Sequence, residues 1–177
     1  MGEAFDSTLA AARTGAEWAW TNLYRQFSPA VLGYFRAQRV PEPEDLTAEV
    51  FYQVVRSLGQ FEGGEAAFRS WLFVIAHRKI VDDSRHRKRR PVAPAEAQTL
   101  ELRGRSGDVE HEAMRHLSQV EVAVLLAELT DNQRDVMLLR ILGGLSLEET
   151  AAVLNIRPGA VSALQGRAVK RLKKKLA

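Results

Sequence analysis

Apolar positions recur at intervals of three and four residues along most of the chain, and no stretch shows the strict alternation of a half-buried strand. Residues 16–39 carry Trp18, Leu23, Phe27, Val31, Leu32 and Phe35 at helical spacing. Pro29 falls within that run and predicts a kink or a helix restart, since proline fits best in a first turn. PEPED, from Pro41 to Asp45, is a break followed by an acidic helix start, which suits the positive end of the helix dipole. That helix is expected to run to about Leu58. On it Leu46, Val50, Phe51, Val54 and Leu58 share one arc, while Asp45, Glu49 and Gln53 share the opposite one. GQFEGGE, from Gly59 to Glu65, reads as a loop. A long helix follows from about Ala66 through the basic run SRHRKRR, and Pro91 stops it.

Residues 91–118 lose the periodicity and are rich in Pro, Ala, Gly and charge, the composition of a linker, with a helical start near Val109. Helical signals then return. Thr130 with Gln133, and Ser146 with Glu149, have capping-box spacing. Gly143 and Gly144 punctuate the two helices, Asn155 suits a left-handed cap, and Pro158 opens the last helix. The expected fold is all-α: two small helical domains, residues 1–91 and 119–177, joined by a flexible linker over 92–118. Each is below the size at which a core is comfortable alone, so a large partner is expected to steady both.

Composition narrows the class. The chain has 177 residues, 46% of them hydrophobic, which is a globular balance. The net charge is +3 but the isoelectric point is about 9.4, so the clustering of basic residues matters more than their total. The absence of cysteine excludes a disulfide scaffold and a cysteine–zinc site. No apolar run reaches the roughly 18–20 residues of a membrane span, and MGEAFDSTLAAAR lacks the basic start and apolar centre of a secretion signal. A cytoplasmic protein without membrane insertion is expected. HEAMRH, from His111 to His116, misses a zinc-protease motif because its histidines stand ~140° apart on a helix. Asp82–Asp83 reads as neutralising its basic neighbours. No phosphate loop and no nucleophile–base pair stands out, so neither a cofactor, a metal nor catalysis is expected.

Two stretches point to nucleic acid. Leu145 to Lys175 reads as a helix-turn-helix, with Leu147, Ala151, Val153, Leu154, Ile156 and Val161 as its small core. Its second helix would offer Arg157, Ser162, Leu164, Gln165 and Arg167 to a major groove, with Lys170 and Arg171 for the backbone. The bland alternative is a helical hairpin with a solvated basic tail. From Phe68 onward, aromatics interleave with bases: Arg69, Trp71, Arg78 and Lys79, then Arg85, Arg87 and Lys88 in the basic run. Phe68, Trp71, Leu72 and Ile75 lie at helical spacing and are mostly core. The remainder resembles a surface for single-stranded nucleic acid, with Phe61 in the preceding loop. The acidic arc Asp45, Glu49, Gln53 is either an ordinary wet face or a ridge for a basic partner.

Taken together these pieces resemble a bacterial sigma factor of the extracytoplasmic-function group. EPEDLTAEVF (Glu42 to Phe51) resembles that family's core-polymerase-binding helix. FRSWLFVIAHRKIVD (Phe68 to Asp82) resembles its melting and −10-recognition helix, and Leu129 to Val161 resembles its fourth region, which ends in the −35-reading helix-turn-helix. The resemblance implies core polymerase, through its beta-prime clamp and beta flap, as partner. It also implies promoter DNA and an anti-sigma protein. Asp45, Glu49 and Gln53 would dock on the clamp. The loop at Phe61 would capture a flipped −10 base, at a cost of a few kcal/mol of unstacking. Arg78 stands where many members have asparagine, and Ser162 and Leu164 where many carry lysine and arginine. A different −35 preference is therefore expected. A repressor or activator acting without polymerase is the other reading; it needs only the second domain. Weak binding of free DNA is expected of a sigma factor alone.

Overall fold

A computed structural model describes the backbone of residues 2–89, 122 and 124–176, and the side chains of these except 2–3, 85–89 and 176. The described residues form helices α1 (Gly2–Arg13), α2 (Glu17–Ala37), α3 (Pro43–Ser57), α4 (Glu65–Arg89), α5 (Asp131–Ile141), α6 (Leu147–Leu154) and α7 (Pro158–Leu176), with a 3-10 turn over Leu58–Gln60. No strand occurs among them. The linker over 92–118, the helical start near Val109 and the His111–His116 motif lie outside the described residues.

The first unit packs α1 to α4 around aromatic rings. Phe5, Leu9 and Ala12 of α1 are buried at helical spacing. α2 buries Ala19, Leu23, Phe27, Val31, Tyr34 and Phe35, and α3 buries Val50, Phe51 and Val54. Phe68 of α4 lies at the centre, its ring 5.5 Å from Phe5, 5.1 Å from Phe27 and 5.6 Å from Phe61. Pro29 does not end a helix: it lies inside α2. The buried stripe runs through it, with Phe27 and Val31 on either side holding the register, so packing offsets the roughly 3 kcal/mol cost of an interior proline. Trp18 is 55% exposed and not part of that stripe. The break before α3 turns at Glu42, which is left-handed at φ 52°, and Pro43 opens the helix.

Both capping boxes of the second unit form. The Gln133 amide donates to Thr130 Oγ1 at 3.4 Å, and the Thr130 amide donates to Gln133 Oε1 at 3.2 Å. The Glu149 amide donates to Ser146 Oγ at 3.1 Å, and the Ser146 amide to Glu149 Oε2 at 2.6 Å. Asn155 closes α6 in the left-handed region at φ 53°. The Ile156 amide donates to the Ala151 carbonyl and the Asn155 amide to that of Ala152, which is a Schellman cap. Thr130→Ala and Ser146→Ala are each expected to cost about 1 kcal/mol, a fall of about 2–4 °C in the thermal midpoint, read by calorimetry.

The two units share a core. Leu138, Leu139, Leu145 and Val153 belong to the same buried cluster as Phe68, Leu72 and Phe73, because α6 packs along α4 and α5 touches α2. The size shortfall expected of each small unit is thus met within the chain. Gly143 and Gly144 are required at this join. A side chain on Gly143 would meet the Leu139 carbonyl oxygen at 2.5 Å. Gly144 is left-handed at φ 62° and sits against Arg69 of α4.

Candidate nucleic-acid interface

α3 sorts its residues by arc. With Val50, Phe51 and Val54 turned inward, Asp45, Glu49 and Gln53 are all exposed. Glu49 reaches Lys79 Nζ of α4 at 2.7 Å, so it is paired as well as exposed. Tyr52, at 65% exposure, and Val55, at 51%, lie beside this ridge, and the Arg56 guanidinium stands 5.8 Å over the Tyr52 ring. Sequence reasoning passed over these two. Their signal was two apolar positions off the buried arc of an amphipathic helix.

The expected −10 residues separate. Phe61 is buried, its ring stacked on Trp71 at 4.9 Å, and its carbonyl accepts a hydrogen bond from Arg13 of α1. Its ring is therefore not presented to solvent in this arrangement. Glu62, Gly63 and Gly64 are the exposed part of the loop. Trp71 is half-buried. Arg69 bonds Glu65 at 2.8 Å and lies 5.8 Å over the Phe27 ring. Arg78 is exposed one residue from the paired Lys79. Arg85, Arg87 and Lys88 fall on the last turns of α4, and their side chains lie outside the described residues.

In the helix-turn-helix, α6 and α7 close over Val136, Ala151 and Val161. Arg157, Ser162, Arg167, Lys170 and Arg171 are exposed, and Gln165 is half-buried. Leu164 packs partly into that small core, which makes it as much a support as a contact.

A polar cluster joins the two units. Gln38 Nε2 donates to Asp135 Oδ1, and Tyr34 and His77 Nδ1 share a hydrogen bond of 3.0 Å. Burial holds the His77 imidazole below its ordinary 6.5, with the Asp135 carboxylate pulling the other way. Burial likewise raises the Asp135 carboxyl above its ordinary 3.8. The unfolded chain takes up the His77 proton near pH 6.5 and the folded chain only below that, so this group withdraws stability as the pH falls below about 6.5. Asp135 acts oppositely, since its folded form holds a proton to higher pH. Urea titrations from pH 7.5 to 5.5 are expected to show His77→Gln losing less stability on acidification than the unaltered chain.

Among the described residues, no group of three or more His, Asp or Glu side chains could hold a metal ion, and no helix is long and apolar enough to cross a membrane.

The chain matches the family models for Sigma-70 region 2 over residues 23–90 and Sigma-70 region 4 over residues 125–174. It is 32% identical over 169 residues to the ECF RNA polymerase sigma factor ShbA of Streptomyces griseus, covering 90% of this chain and 88% of ShbA. It is also 32% identical over 163 residues to the ECF RNA polymerase sigma factor BldN of Streptomyces coelicolor, covering 91% of this chain but spanning only 61% of BldN's length. The solved structure of CnrH, in complex with the cytosolic domain of CnrY, superposes with a TM-score of 0.69 at 25% identity, over 98% of this chain and 97% of CnrH. The chain belongs to the ECF RNA polymerase sigma factors, and its function is in transcription initiation.

Proposed function

We propose that this sigma factor docks on the beta-prime clamp of core polymerase through Asp45, Glu49 and Gln53. The single observation that carries this is the outward placement of that ridge opposite the buried Val50, Phe51 and Val54. Tyr52 and Val55 extend the surface with apolar area, as interface centres require. α4 and its preceding loop would take the −10 strand, with Arg78 and the basic end of the helix on its backbone. α7 would read the −35 duplex, and the second unit would meet the beta flap. The protein itself catalyses nothing, works in the cytoplasm and needs no cofactor. An anti-sigma protein is its further partner; CnrH was solved with the cytosolic domain of another protein bound. A free-standing repressor would leave the α3 ridge without use.

Run-off transcription with bacterial core polymerase and fragmented genomic DNA is the test. Discrete transcripts dependent on this protein are expected; the absence of both transcripts and co-purification with core would overturn the reading. Arg157, Lys170 and Arg171 are exposed on or beside α7. Each alanine replacement that removes a phosphate contact is expected to lower the log–log salt slope of holoenzyme binding to −35 duplex by about 0.9.

A further inference from the structure

Helix α1 has a use beyond filling the core. Its buried face, Phe5, Leu9 and Ala12, fixes it against α2 and α4, with the Phe5 ring 6.1 Å from Phe27 and 5.5 Å from Phe68. Arg13, in its last turn, is thereby brought to the loop before α4, 48 positions away in sequence, where its guanidinium donates to the Phe61 carbonyl. The Phe61 ring is held separately, stacked on Trp71 at 4.9 Å and edge-on to Phe68 at 5.6 Å. α1 also flanks the far end of the loop: a Cβ at Gly64 would lie 4.0 Å from the Asp6 carboxylate. Between these two ends Glu62, Gly63 and Gly64 are exposed. The loop runs close over the start of α4, since a side chain on Gly63 would meet the Ala67 Cβ at 2.7 Å. Apolar packing thus sets the ring of Phe61, while a charged donor sets its backbone. Hydrogen bonds from charged groups are about twice as strong as neutral ones.

We propose that Arg13 is a positioning residue for the −10 step: its bond to the Phe61 carbonyl holds residues 61–64 in the conformation that takes the unpaired −10 strand. The proposal rests on the sigma-factor reading above and extends it to α1, which lies outside the α3 ridge, α4 and α7. A loop already ordered in its binding conformation pays no ordering entropy when the strand arrives. Without the bond the competent conformation is only a fraction of those populated, and the apparent affinity for the strand falls by that fraction. The bland alternative is a cation that merely steadies the negative end of α1. It predicts a loss of stability that weakens every binding step alike.

The tests use the full chain and its holoenzyme, with −10 and −35 sequences taken from upstream of the run-off transcripts. Arg13→Ala is expected to weaken holoenzyme binding to a single-stranded −10 oligonucleotide by about tenfold, the low end for one hydrogen bond from a charged donor. Binding to core and to −35 duplex is expected to stay unchanged. Arg13→Lys keeps a charged donor and is expected to restore most of the −10 binding. Gly63→Ala must push the loop off Ala67 and is expected to reproduce the defect through the loop itself. A second measurement reads the loop directly and needs no promoter. The chain has three tryptophans, so Trp18→Phe with Trp20→Phe leaves Trp71 as the sole emitter. Adding Arg13→Ala is expected to raise acrylamide quenching of Trp71 as the Phe61 stack loosens, with helix content by circular dichroism unchanged. Unchanged −10 binding in Arg13→Ala or Gly63→Ala, unchanged quenching, or an equal loss of −10, −35 and core binding overturns the positioning role and leaves the sigma-factor reading intact. A parent chain that gives neither transcripts nor co-purification with core sinks both.

Discussion

Phe68→Ala is expected to lower the unfolding free energy by about 3–5 kcal/mol, the range for losing a fully buried phenylalanine. Its side chain has no exposure and is ringed by Phe5, Phe27, Phe61 and Trp71, which come from α1, α2, the loop and α4. Phe5 and Phe27 are held on two other helices, so the cavity cannot close without moving a backbone. Against a typical total of about 5–15 kcal/mol, such a loss is a large share of the stability. Urea denaturation followed by tryptophan fluorescence measures it, since Trp71 stacks on the same cluster. A loss below about 1 kcal/mol would show that the rings rearrange to fill the space. Trp18→Ala, at a 55% exposed site, is expected to change stability by about 0.5 kcal/mol or less.

Reversing the α3 ridge with Asp45→Lys and Glu49→Lys is expected to weaken binding to core polymerase by about 100-fold, or 2.8 kcal/mol at 1.4 kcal/mol per tenfold. On the proposed docking, the cost would come from presenting two cations to a surface that complements an acidic ridge, where like-charge contact opposes association by several kcal/mol. The two positions differ in an instructive way. Asp45 is exposed, whereas Glu49 also holds Lys79 at 2.7 Å, so Glu49→Lys places like charges together within the chain. That exposed pair contributes at most about 1 kcal/mol, and the fold is expected to survive. Surface plasmon resonance on immobilised core measures the affinity, with circular dichroism verifying the helix content. Unchanged affinity in Asp45→Lys alone and in the double variant would remove α3 from the docking surface.

Much of the fold is legible because its signals are local. A capping box lies within four residues, so Thr130–Gln133 and Ser146–Glu149 can be read before any tertiary contact is known. The left-handed cap at Asn155 and the proline starts at Pro43 and Pro158 are equally local, as is the arc of Val50, Phe51 and Val54. Pro29 misleads because its penalty is local while the packing that offsets it comes from other helices. At the candidate site, exposure of the α3 ridge and of Arg78, Ser162 and Arg167 follows from periodicity. The burial of Phe61 does not, because a loop residue has no period, and its place depends on Trp71 and Arg13.

From its residues alone the chain is determined to be helical, divided by a polar stretch, capped at defined points and charged on chosen arcs. All of that rests on interactions within a turn or two. Only the tertiary structure decides that the two units share one core, with Gln38 bonded to Asp135 across 97 positions of sequence and Gly144 set against Arg69. Apolar periodicity marks which face of a helix is buried, but the hydrophobic effect has no direction and names no partner. The choice of partner is made by shape and by polar groups that are satisfied in one docking geometry alone.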